Sequence, residues 1–302
     1  ISLALLPITI VLLVIISTVA VAQTEKPEKI KLHLTPKPDQ TAKLRMVMEL
    51  DMEMTLEGAG APEQAAVFPM KIQMKSVTAF TQKTGALDKQ NRFGMEMTYD
   101  DVSAEMMMNG NALPVGDEMA KLKGQQIKVT MDQNGNVFDV QAPKETQMDA
   151  ATFKELLKSL YGALPTEPMA VGETVTVPLT MALPLPLPGA GALNLQGSSK
   201  IKLLAVEKDG THQIANLQTT ADAQVNTLID FPGPNGPAKS KMEFSMTGNG
   251  PSTVNLTKGM VKTSDMIMML QGKISPAAES ADAKTPVMVL KGTVKTTVTG
   301  IN

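Results

Sequence analysis

The 302-residue chain contains no cysteine and no tryptophan. Without thiols it has no disulfide, no cysteine-held zinc or iron–sulfur site, no thiol nucleophile and no lipoprotein-type lipid attachment. Histidine is almost as scarce: only His33 and His212 occur. A Ser-His-Asp site needs a positioned base, and a zinc site needs several imidazoles or thiolates. Both histidines fall in polar surroundings, His33 among prolines and lysines and His212 beside a turn, and read as solvated side chains. Aromatics make up 3% of the chain, and 28 basic residues stand against 30 acidic ones. A near-neutral balance supplies no field for a nucleic-acid backbone. Neither a G-x-x-x-x-G-K loop nor a G-x-G-x-x-G turn occurs. The expectation is a protein without catalysis, cofactor or nucleic-acid partner.

What replaces the missing rings is methionine: 23 residues, against seven phenylalanines and two tyrosines. Methionine is unbranched and polarizable and fits irregular apolar shapes.

Residues 1–22 form an apolar run ending in Ala20-Val21-Ala22, the small-x-small pattern of signal-peptidase cleavage. The expectation is a signal peptide and a periplasmic or secreted mature protein. The competing reading is a retained anchor helix, for which about 20 apolar residues suffice. Residues 23–40, with Pro27, Pro36 and Pro38, read as a polar tether. The remaining chain is long enough to fold on a hydrophobic core without cross-links.

From residue 41 onward the hydrophobic period is two. Leu44, Met46, Met48, Leu50, Met52, Met54 and Leu56 alternate with residues such as Arg45, Glu49, Asp51 and Glu53. Phe68, Met70, Ile72 and Met74 repeat the pattern. Phe93 to Tyr99 hold one phase and Val102 to Met108 the other, so a β-bulge is expected at Asp100-Asp101. Ile127, Val129 and Met131 lead into Asn134-Gly135, a type I′ hairpin signal, and Phe138 and Val140 follow it. A calcium loop starting at Asp132 fails at its twelfth position, which is Pro143.

Asp149 then precedes an apolar stripe of Phe153, Leu156, Leu157 and Leu160, with Gly162 and Pro165 behind it. This is the pattern of one amphipathic helix near 149–161. In 174–197, Pro178, Pro184, Pro186 and Pro188 argue against a paired strand, so an extended surface loop or an apolar flap is expected. Strands resume at Ile201, turn at Asp209-Gly210, and break again at a loop over 231–237. Met242 to Met246, Met266 to Leu270 and Met288 to Val298 complete the set. Asn255-Leu256-Thr257 is a glycosylation sequon only in a host that uses one.

The fold expected is mainly β: a long, strongly curved antiparallel sheet, half-barrel or barrel, over residues 41–302 as a single domain. PVGDEM at 114–119 echoes AVGETV at 170–175, so two similar halves meeting near 142–172 are conceivable.

Lys123-Gly124, Met131-Asp132, Gly135-Asn136-Val137, Pro165-Thr166-Glu167-Pro168 and Val171-Gly172-Glu173-Thr174 together resemble an exported bacterial family of β-rich domains of unknown function. That family shows a KG…D-x-x-G-x-V hairpin and a P-x-x-P-x-x-VG(D/E) strand start. The resemblance implies an envelope location and transfers no catalytic residue. In architecture such chains look similar to half-barrel carriers of lipids and lipoproteins.

Most methionines share a face with Leu, Phe or Ile, as core residues do. Three readings remain: core packing, a plastic apolar cavity, and a thioether site for Cu(I). Phe68, Met70, Met74, Met95, Met97, Met266 and Met268 lie on faces that a curled sheet turns inward, and they are the candidate ligand-binding residues. The expected function is binding or carrying an apolar small molecule or lipid, or scaffolding in the envelope with a partner there. The alternative is a methionine-based copper-handling protein.

Overall fold

A computed structural model describes residues 28–58, 68–115, 119–143, 154, 157, 164–184, 192–233, 236–276 and 287–301. Its strands are β1 (Gln40–Glu57), β2 (Met70–Thr84), β3 (Arg92–Met108), β4 (Asn111–Leu113), β5 (Gln126–Asp132), β6 (Val137–Gln141), β7 (Thr174–Pro184), β8 (Ala192–Asp209), β9 (His212–Gly233), β10 (Gly236–Asn255), β11 (Met260–Pro276) and β12 (Val287–Ile301). They make one antiparallel sheet ordered β6-β5-β3-β2-β1-β12-β11-β10-β9-β8-β7, with β4 paired to β3 alone. The chain's first and last strands pair at the centre, Leu50 opposite Val294. The two wings run outward to β6 and β7. These edges do not pair, so the sheet is open and a closed barrel is ruled out.

The sheet is nevertheless tightly curled. Leu34 N–H donates to the Gln133 carbonyl in the β5–β6 turn at 2.7 Å, and the next residue, Thr35, donates to the Leu256 carbonyl in the β10–β11 turn at 2.8 Å. On a flat sheet β5 and β10 would lie six strand spacings apart, about 29 Å at ~4.8 Å each. Two consecutive residues cannot bridge such a gap, so the wings curve toward each other. The inner face is buried accordingly. Met52, Ile72, Met246 and Leu270 are at most 4% exposed, although among the described residues no second sheet covers them.

Glycines on the inner face permit the bend. A Cβ on Gly197 would stand 1.9 Å from the Asp222 carbonyl oxygen, and one on Gly272 would stand 2.7 Å from the Phe244 ring. With no side chain at these positions, neighbouring strands coil without collision. Charge is segregated to the outer face, where Lys75–Glu49 (3.0 Å) and Lys128–Glu96 (3.3 Å) face each other in register. Such exposed pairs contribute little, because solvent screens them.

Several expectations are met in detail. Tyr99 opposes Phe80 and Asp101 opposes Ala79, leaving Asp100 as the extra residue of the expected bulge. The Asp209-Gly210 turn is tight, with Asp209 opposite His212 and Gly210 at φ 60°.

Others are corrected. Pro178 and Pro184 lie within β7 and pair with Ser198 and Ala192. β7 is an edge strand, so a proline there need not donate to a second neighbour. The expected loop at 231–237 is a continuation of β9 and β10, Pro232 opposite Pro237. The β5–β6 connection is not type I′, because Gly135 has positive φ and Asn134 does not. Asp132 sets a different turn: its Oδ1 accepts the N–H groups of Asn134 (2.8 Å) and Asn136 (2.9 Å). The helix expected near 149–161 lies outside the described residues except for Lys154 and Leu157. Leu157 is buried, and Lys154 Nζ donates to the Phe138 carbonyl at 2.6 Å.

Candidate functional site: the inner face of the curled sheet

The inner face divides into two filled ends and a belt between them. At one end Phe93, Met95, Met97, Ile127, Val129 and Met131 of β3 and β5 join Ile201, Leu203 and Leu217 of β8 and β9 in one buried cluster. Leu32 and Leu34 belong to the same cluster, so part of the segment expected to be a polar tether is packed into this end. Alternation explains it: Leu32 and Leu34 point in, while Lys31 and His33 stay at the surface. Ile30 exchanges backbone hydrogen bonds with Met169 (2.8 and 2.9 Å), and Lys29 meets Glu173 at 3.2 Å. The Ala170 N–H and the Lys29 ammonium hold the Glu173 carboxyl below its ordinary range. Burial pushes the Tyr99 phenol up.

The other end is filled by Met54, Ile72, Leu195, Met242, Phe244, Leu270, Ile274 and Leu290, with Phe68, Met70 and Met288 packed against them. Fully buried Ile72, Met246 and Met54 mark it as core.

Between the ends the inward-facing residues are mixed: Val294, Gly248, Ser199, Ser76 and Thr78 are buried, while Leu50 and several methionines keep part of their surface. One register row crosses nine strands as Met106, Met74, Leu50, Val294, Met268, Gly248, Ala221, Ser199 and Val177. Met106, Met74, Leu50 and Met268 in this row are partly exposed, whereas Ile72, Met52, Leu270 and Met246 in the row beside it are buried. Toward the Leu32 end the next rows include Ser76, Met48, Thr296 and Met266, then Thr78, Met46, Val298, Ser264 and Ser252. Met46, Met48, Met266, Thr296, Val298, Ser264 and Ser252 are again half-buried. Met266 and Met268 both border Gly248, at 3.6 and 3.3 Å from a Cβ built there.

The seven candidate residues therefore do not form one site. Met95 (1% exposed) and Met97 (4%) are packed in the Leu32 end, and the buried Gln82 amide donates to the Met95 sulfur. Phe68 and Met70 pack at the opposite end. Met74, Met266 and Met268 share the belt. The belt residues outside that candidate set are Met46, Met48, Leu50 and Met106 and the hydroxyls of Ser252, Ser264 and Thr296. Their period-two phase was visible, but which rows keep part of their surface open depends on pairing across strands.

Other candidates are weaker. A polar cleft at the rim includes Glu207, Asp209, Asn216, Thr253 and Lys262. Its groups satisfy one another: Thr253 Oγ1 donates to Asn216 Oδ1 (3.1 Å), and Asn216 Nδ2 donates to Glu207 Oε1 (2.9 Å). His33 lies beside the Lys31 carbonyl, and His212 sits at the start of β9 with Nδ1 buried and unpartnered. Asn255 of the sequon is 8% exposed and its Oδ1 accepts the Lys258 N–H, so an enzyme would have no access to it in the folded chain.

Fold and inner face together define an open, curled antiparallel β-sheet protein with a methionine-lined interior. No family model matches the chain, and no curated protein matches it in sequence. Among solved structures it is similar to lipovitellin, described for its lipid–protein interactions, with 11% identity and a TM-score of 0.44 over 87% of this chain. This chain spans 25% of the lipovitellin chain. It is also similar to OccK5 (OpdH) of Pseudomonas aeruginosa, with 6% identity and a TM-score of 0.21 over 86% of this chain and 99% of that one. Both likenesses concern β-rich architecture and carry no argument about function.

Proposed function

We propose that this protein binds and carries an apolar ligand in the belt of its inner face. The observation behind this reading is the belt itself: apolar residues that face inward, lie between two buried clusters, and still keep part of their surface open. A filled core leaves such residues buried. Methionine suits a site that takes several shapes, because its side chain adapts at low cost. The reading is of a non-catalytic protein, periplasmic or secreted, with residues 1–22 as its signal peptide and a place in the exported β-rich family that its hairpin and strand-start motifs resemble. An envelope scaffold that holds lipid for a partner is the same chemistry in another setting.

The test is titration of the purified mature protein with Nile red, an uncharged apolar reporter, together with native mass spectrometry of protein taken from its own host. Saturable fluorescence and a co-purifying lipid are expected. Displacement of the dye by homologous lipids should strengthen with chain length, by at most about 0.8 kcal/mol per buried CH₂. Absence of both dye binding and bound lipid would leave the inner face as core and end the proposal.

A further inference from the structure

Resting on the carrier reading above, the inner face also selects the chemistry of its ligand. Across the belt and the end filled by Met54 and Phe244, the inward positions of β1, β2, β10, β11 and β12 are uncharged. On β1 these are Met46 to Leu56 and on β12 Met288 to Val298, with the same alternation on β2, β10 and β11. Acidic and basic residues of these strands, such as Glu49, Lys75 and Lys295, fall on the outer face. Lys262, at the rim, is solvent-exposed beside Asp209. A carboxylate or phosphate drawn into the belt would lose its hydration and meet no counter-charge, which is strongly unfavourable.

The face is not purely apolar, however. Ser76 and Thr78 are buried on β2, and Ser252, Ser264 and Thr296 line the side of the belt nearest the Leu32 end. Hydroxyls both donate and accept. We infer that the ligand is an uncharged amphiphile: a chain against the methionines, and a hydroxyl or ester group toward Ser264, Thr296 and their neighbours. A fatty alcohol or acylglycerol has this chemistry; an ionised fatty acid or a phospholipid entering head-first does not.

The experiment is competition of decanol, decanoate and decane against Nile red on the full mature protein at about pH 8, where the acid is ionised. Decanol should displace the dye at roughly tenfold lower concentration than decanoate or less. Decanoate should improve as pH is lowered toward its own pKa. The double substitution Ser264→Ala with Thr296→Val should weaken decanol severalfold and leave decane unchanged. Decanoate that competes as well as decanol at high pH overturns the inference while the carrier reading stands. So does a double variant that weakens decanol and decane alike or weakens neither. Failure of Nile red to bind removes the carrier reading and this inference with it.

Discussion

Gly250 on β10 passes so close to Asp265 on β11 that a Cβ at position 250 would stand 1.8 Å from the Asp265 carbonyl oxygen. The ladder is interrupted at the same place: pairing runs from Asn249 with Ile267 to Ser252 with Ser264. Met266 takes part in the same close approach, its Cα 2.9 Å from that Cβ position, so the contact borders the belt.

Substitution of Gly250 by Val should therefore destabilise the fold by roughly 1–3 kcal/mol or more, the cost of forcing atoms into an occupied space. Gly94→Ala is the control, because a Cβ there meets nothing within 4 Å; its effect should stay within about 0.5 kcal/mol. Urea unfolding of both variants makes the comparison. Equal stability of the Gly250 variant and the wild type would show that the strands need not approach so closely.

Leu32 has no exposed surface and sits among residues from both wings. Leu32→Ala should cost about 2–5 kcal/mol, the usual loss for a buried leucine. Lys31→Ala, one residue away on the exposed side, should be close to neutral. If thermal melts of the two variants coincide, the 28–36 segment contributes no packing.

Glu173 ties the segment through Lys29 and the Ala170 N–H, and these partners hold its pKa below the ordinary 4.5. A carboxyl with a lowered folded-state pKa contributes stability above the ordinary value and loses it as pH falls through the folded-state value. Protease cleavage near residues 28–36 should rise as pH drops through that acid range. Glu173→Gln should flatten this dependence, and an unchanged profile in the variant would assign it to other groups.

Met74 and Met106 oppose each other across β2 and β3 within the belt. Replacing both by Leu conserves apolar volume, so Nile red affinity should change only a few-fold and stability by less than about 1.5 kcal/mol. Replacing Met74 by Asp should abolish dye binding. Cu(I) titration of the double Leu variant separates the two methionine chemistries: metal binding by the wild type that disappears on the swap would favour thioether ligation over a carrier surface.

Much of this protein was determined by its sequence alone. The period-two runs of β1, β2 and β3 follow from local alternation, which any strand with one wet and one dry face must show. The Asp100 bulge and the Gly210 turn are local in the same way. The wet faces needed no tertiary information either, because a charge on the dry phase would be too costly. Tertiary structure decided what alternation cannot express. It joined β1 to β12, which lie far apart in sequence, so that Met46 stands opposite Val298 and Met48 opposite Thr296. It left β7 at an edge where Pro178 is tolerated, and it drew Leu32 and Leu34 out of a segment rich in lysine and proline into the interior. It also divided the methionines: Met95 and Met97 entered a sealed core, while Met74, Met266 and Met268 remained half-open. Residue type and period are identical in the two groups. What differs is the tertiary neighbourhood: Met95 and Met97 pack with Leu32 and with Ile201, Leu203 and Leu217 of the other wing, and local alternation cannot express that.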